Sequence, residues 1–189
     1  MARAGLTADR LARAGAELAD EIGFEQVSPS TLARQFGVQV ASLYSHVRGA
    51  HDLKSRIAEV ALAEMADRAA EAVAGRAGRD ALLALAAVYR DYAREHPGRY
   101  AAAQYRVDPG SPAVEAGRRH SELTRAILRG YDLDEPAQTD AVRLLGSLFN
   151  GYLSLELGGS FAHSTPTSDE SWSRILEAVD KLLRNWTTS

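Results

Sequence analysis

An all-helical fold with a small three-helix head and a larger helical body is what this chain predicts, and three observations carry the helical class. Alanine, leucine, arginine and glutamate dominate the 189 residues and β-branched runs are scarce. The apolar residues recur at spacings of three and four over most of the length. Glycine, proline and capping residues punctuate that periodicity at intervals suited to helices rather than strands.

The first helix spans about Thr7 to Glu21, with Thr7 as cap, Gly23 as stop, and Leu11, Gly15, Leu18 and Ile22 on one face. Arg3 precedes it in a polar arm suited to phosphate or minor-groove contact, or simply to solvent. Phe24 and Val27 supply core for a three-helix head. Ser28-Pro29 then opens a second helix, since a hydroxyl can cap and a proline suits the first helical position. Leu32 and Phe36 lie one turn apart. Gly37 follows, where a left-handed residue ends a helix without a Cβ clash. Val40, Leu43 and Val47 make the stripe of a third short helix, leaving Ser42, Tyr44, Ser45 and His46 outward. Two short helices about a tight glycine turn, crossing closely at the small Ala33, form a helix-turn-helix whose second helix suits a major groove.

A long alanine-rich helix runs from about Ala50 to Ala77, with Leu53, Ile57, Val60, Ala61 and Met65 on or near one face. Starting at the head and ending in the body, it is the mechanical link between them. Arg79 to Glu95 is the next helix, and His96-Pro97-Gly98 breaks it. A short helix follows over Pro97–Arg106, then another from Pro112 to near Gly130. Glu135-Pro136 opens a helix to about Gly158 that is apolar on nearly every side, so it must be buried on nearly every side. After a polar loop, Thr167 and Glu170 have capping-box spacing ahead of a last helix to Trp186.

Ala33, Gly37-Val38, Leu43-Tyr44, His46-Val47 and Leu53 fall where the TetR (tetracycline-repressor-type) family of bacterial regulators has its DNA-binding signature, and the resemblance runs from about Leu6 to Met65. Tyr89–Tyr100, YRDYAREHPGRY, resembles a segment of one group of TetR-like C-terminal domains. The resemblance implies a helix-turn-helix domain over 1–50 and a ligand-binding and dimerisation domain over 51–189. It places DNA contacts on Ser42, Tyr44, Ser45 and His46, with Gln39 and Val40 at the start of the recognition helix. Ser30 and Thr31, opening the preceding helix, are candidates for phosphate. Two departures stand out: Ala50 replaces a common lysine, so Arg48, His51 or Lys54 must supply that charge, and Val40 replaces an often polar residue.

Net charge is −3, and the first sixty residues hold seven cations against seven anions, so any positive surface on the head must be local. The chain has no cysteine, which excludes disulfides, thiolate metal sites and a cysteine nucleophile. No apolar run is long enough to span a membrane and the first residues lack a signal-peptide core, which makes the expected location cytoplasmic. The five histidines are scattered without an i, i+4 pair, and no phosphate loop, nucleophile elbow or zinc-protease helix occurs. No cofactor, metal or catalytic residue is expected.

The body is rich in polar aromatics, whose apolar area and hydroxyl handle suit a small-molecule pocket. Met65, Tyr89, Tyr92, Tyr100, Gln104, His120, Phe149 and Tyr152 are the candidate ligand residues. The last two helices are too apolar for one buried face each. Gly146, Gly151, Ser154, Leu155, Leu176, Val179 and Leu183 are therefore the candidate dimer seam. The expected protein is a homodimeric repressor, released from a palindromic double-stranded DNA operator by a small-molecule effector. The rivals are a helical small-molecule binder or enzyme whose hairpin merely packs, and a DNA-binding head on a ligand-free scaffold.

Overall fold

A computed structural model of the chain describes residues 5–186, and Arg3 lies outside them. The described residues contain helices and turns but no strand, in two units of packing. One is formed by Met1–Met65 with Glu95–Arg118, the other by Ala66–Arg94 with Arg119–Ser189.

The first unit begins with α1 (Ala8–Ile22), capped by the Thr7 hydroxyl, which accepts from the Arg10 amide. A 3-10 turn over Phe24–Gln26 leads to α2 (Pro29–Phe36). Ser28 and Thr31 cap α2 reciprocally, the Thr31 amide donating to Ser28 Oγ and the Ser28 amide to Thr31 Oγ1. Gly37 closes α2 at φ 65° and ψ 34°, the left-handed conformation expected of it. The third helix, α3, is regular only over Val40–Leu43. Its end is drawn in by the His46 and Val47 amides, which both donate to Leu43 O at 2.9 Å. The recognition element is thus shorter than its apolar stripe suggests.

The long helix α4 (Ala50–Val73) stops four residues before the expected Ala77, because Gly75 turns the chain at φ 72°. In the first unit its side chains Leu53, Ile57 and Ala61 join Leu11, Phe24, Val27, Leu32, Leu43 and Val47 in one core. Ile22 does not share it: at the last position of α1 it is 42% exposed. The short helix α6 (Pro97–Ala103) packs on α1 at Gly98, where a Cβ would sit 1.9 Å from Ala19 O. Asp20 secures the same contact, accepting from the Arg99 amide at 2.9 Å and lying 3.0 Å from His96 Nδ1. Only glycine allows that approach.

The second unit contains α5 (Gly78–Glu95), the end of α7 (Pro112–Leu128), α8 (Glu135–Leu157) and α9 (Ser168–Arg184). The expected capping box starts α9, the Thr167 amide donating to Glu170 and the Glu170 amide to Thr167 Oγ1. Leu82, Leu85, Tyr92, Leu128, Leu145, Leu153 and Leu183 are fully buried here. Arg90 of α5 lies inside this core against Glu156 of α8, with Nε and one terminal nitrogen donating at 3.0 and 2.5 Å. Their side chains are only 8% and 10% exposed. Arg94 and Asp169 extend the pair into a four-membered cluster. The Arg90 and Arg94 guanidiniums hold the Glu156 carboxyl down at about 2, against the desolvation that opposes it.

Candidate nucleic-acid interface and effector site

The segment from Gly37 to Arg48 carries the candidate DNA contacts. Leu43 and Val47 are buried and fasten it to the core, which forces the intervening side chains outward. Gln39, Ser42, Tyr44 and Ser45 are exposed, Tyr44 to 57%, whereas His46 is half-buried. The Ser45 hydroxyl donates to Ser42 O at 2.8 Å, folding it back on its own turn. Ser30, on the first turn of α2, is exposed. Thr31 is not comparably available: its hydroxyl donates to Ser28 O at 2.9 Å while accepting the Ser28 amide, so it works as a cap.

Of the three residues expected to supply the charge that a lysine at Ala50 would bring, Arg48 is the most exposed and Lys54 the least. Arg48 has a side chain 90% exposed, 3.9 Å from Asp52. Lys54 is only 15% exposed; its ammonium meets Glu25 at 2.7 Å and lies over the Phe24 ring at 4.9 Å. A position one turn into α4 faces the head's own core, which is why this lysine does not join the surface. His51 is bridged by Tyr105 at 2.8 Å and Asp108 at 2.9 Å. Asp52, though burial opposes it, is kept below the usual carboxylate range by the Arg48 amide and the Arg56 guanidinium.

The candidate effector residues separate. Tyr89, His120 and Phe149 come together in the second unit around a cavity of about 100 Å³, with Ser121, Thr124, Val142, Leu145 and Gly146. The Tyr89 hydroxyl shares a hydrogen bond of 2.5 Å with His120 Nδ1, and the Tyr89 ring packs on Phe149 at 5.5 Å. No carboxylate, lysine or arginine lines this space. Tyr92 is fully buried with the Arg68 guanidinium 5.1 Å from its ring centre, and Tyr152 stacks between Phe161 and Trp172 while donating to Ser168 O. Neither borders the cavity. Met65, Tyr100 and Gln104 belong to the first unit, where Met65 and Tyr100 are core and burial pushes the Tyr100 hydroxyl well above its usual range.

The candidate seam also divides. Gly146, Gly151 and Ser154 are exposed, and Leu155 is 50% exposed. Leu176, Val179 and Leu183 are buried at 4%, 8% and 0%, so they pack in the core of the second unit. Helix α9 turns a different face outward, with Leu182 at 49%, Ala178 exposed and Ile175 half-buried. Sequence periodicity shows that a helix has two apolar faces but not which of them the chain itself covers.

A sequence model described as the tetracyclin repressor-like C-terminal domain matches residues 82–179. The HTH-type transcriptional regulator YobS of Bacillus subtilis is 32% identical over 150 residues, covering 79% of this chain and 78% of that protein. The HTH-type transcriptional regulator Rv0681 of Mycobacterium tuberculosis is 32% identical over 142 residues, 74% of this chain and 65% of that one. In fold, the chain resembles the TetR-Q116A protein of Acinetobacter baumannii, solved with minocycline, at a TM-score of 0.76 and 19% identity over 98% of this chain and all of that one. ActR of Streptomyces coelicolor matches at a TM-score of 0.72 and 20% identity, over 97% of each chain. The capped helix, the left-handed Gly37 and the outward-facing segment after it therefore stand in a helix-turn-helix transcriptional regulator, and the chain belongs to the TetR family.

Proposed function

We propose that the protein is a homodimeric repressor that binds a palindromic DNA operator in the cytoplasm and leaves it when a small molecule occupies the body. Residues 1–50 serve as the DNA-binding domain and 51–189 as the ligand-binding and dimerisation domain. The observation that carries this reading is the exposed face of the Gly37–Arg48 segment. Gln39, Ser42 and Tyr44 present hydrogen-bonding and apolar groups with no task in the core, beside the outward Arg48. Such a segment suits base edges and phosphate.

Dimerisation is supported by the apolar residues that the second unit leaves open. On α8, the half-buried Leu144 and Leu148 and the exposed Gly151 and Leu155 follow spacings of four, three and four; on α9, the half-buried Ile175 and the exposed Ala178 and Leu182 follow spacings of three and four. Two such helices from each copy make a four-helix interface about a two-fold axis. The lining of the Tyr89–His120–Phe149 cavity suits an uncharged molecule with a hydrogen-bonding end, and at about 100 Å³ the cavity must widen to admit it. The effector releases DNA only to the extent that it binds the released state more tightly.

Gly151→Glu tests the dimer. A Cβ there meets nothing within 4 Å, so one copy accommodates the change. The variant sediments as a folded monomer and loses operator affinity, although the head is untouched. A variant that remains a dimer removes α8 from the interface.

A further inference from the structure

The head exposes apolar side chains where a DNA-binding surface is expected to be charged. Val38 is 36% exposed and Tyr44 57%, both within the segment from Gly37 to Arg48. Ala41 is exposed as well, three residues before Tyr44 and so on the same helical face. Between Arg34 and Arg48 there is no lysine or arginine. Guanine is read most commonly by a cationic side chain on its O6 and N7, and the stretch between these two arginines has neither lysine nor arginine to offer, the exposed Arg48 standing at its far end. The exposed polar side chains between Arg34 and Arg48, apart from the tyrosine hydroxyl, are the amides of Gln35 and Gln39 and the hydroxyls of Ser42 and Ser45, and the Ser45 hydroxyl is already turned onto Ser42 O. Among the exposed side chains of this stretch, Gln39 has the amide fork that suits adenine.

In the major groove, the C5-methyl of thymine is the apolar group that the base pairs present. On this basis we propose that the protein recognises its operator by thymine methyl groups, through Val38, Ala41 and Tyr44, with Gln39 on a neighbouring adenine. The half-site is then A·T-rich under this segment, and specificity depends on a methyl rather than on a charged contact to guanine. The proposal rests on the reading above that this segment enters the major groove.

The test uses the full-length protein and DNA selected from genomic fragments by binding. The selected duplex is remade with deoxyuridine at each thymine in turn, which removes the methyl and leaves base pairing intact. Each contacted methyl is worth about 0.8 kcal/mol of apolar burial, or about a four-fold loss of affinity. That loss is expected at one or more thymines of each half-site, in symmetric positions. Tyr44→Ala and Val38→Ala, at positions 57% and 36% exposed, shrink the loss at the thymine each one touches, and circular dichroism confirms that each variant is folded. Deoxyuridine duplexes that all bind as tightly as the parent overturn the methyl readout while leaving DNA binding by the head intact. If instead no sequence is selected from the genomic pool, the assignment of this segment to the major groove fails first.

Discussion

Removing the buried carboxylate by Glu156→Gln tests how the second unit holds α5, α8 and the start of α9 together. Glu156 and Arg90 are nearly buried, at 10% and 8% side-chain exposure, and join α8 to α5, while Asp169 brings in the start of α9. The carboxyl lies at about 2 in the folded protein against an ordinary 4.5. A folded value below the unfolded one means that the ionised form stabilises the fold. The contribution is complete above pH 4.5 and is lost as pH falls toward 2. A gap of about 2.5 pH units at about 1.36 kcal/mol each amounts to about 3 kcal/mol at pH 7. The same relation leaves about 1 kcal/mol at pH 3. Urea unfolding of wild type and Glu156→Gln, followed by tryptophan fluorescence at Trp172, should therefore differ by about 3 kcal/mol at neutral pH, and the difference should shrink on acidification. Because α8 and α9 carry the exposed apolar stripes, the variant should also dimerise more weakly. A stability difference that is constant between pH 7 and pH 3 would refute the electrostatic coupling, and one below about 0.5 kcal/mol would refute its importance.

Two further outcomes follow from the first unit. Gly98→Ala places a methyl 1.9 Å from a backbone oxygen of α1, and backbone cannot swing aside as a side-chain tip can. It should destabilise the protein by at least about 1–3 kcal/mol in denaturant, and a neutral result would mean that α6 does not pack on Ala19 in solution. Arg48→Ala should flatten the dependence of log K on log salt by about 2 for a dimer, about 0.9 per phosphate from each head. An unchanged slope in a titration of operator DNA would take Arg48 off the phosphates.

Much of this was legible along the chain because local chemistry settled it. Thr7, Ser28 and Thr167 cap the helices they precede, and Gly37 adopts the left-handed turn that its place after Phe36 demands. Leu43 and Val47 bury as their spacing requires, and that alone turns Tyr44 outward. What was not legible depends on what lies across from a residue. Lys54 is a cation near the head, but Glu25 and the Phe24 ring hold it against the core. Leu176, Val179 and Leu183 share a stripe with every mark of an interface, and the chain covers them itself. The Arg90–Glu156 cluster went unread, although Glu156 is an isolated carboxylate among the leucines of α8, and Arg90 and Arg94 stand one turn apart on α5. An acid within an apolar helix is the signal that a partner cation exists, but sequence does not say where.

A head of this kind must select DNA by sequence. Genomic fragments captured by the purified protein and sequenced should share a palindrome whose half-sites are centred about one helical turn, roughly 34–36 Å, apart. The same duplex should bind one dimer, and Tyr44→Ala should weaken the selection without unfolding the chain. Capture of fragments with no common sequence, at a salt concentration where non-specific binding is suppressed, would contradict it.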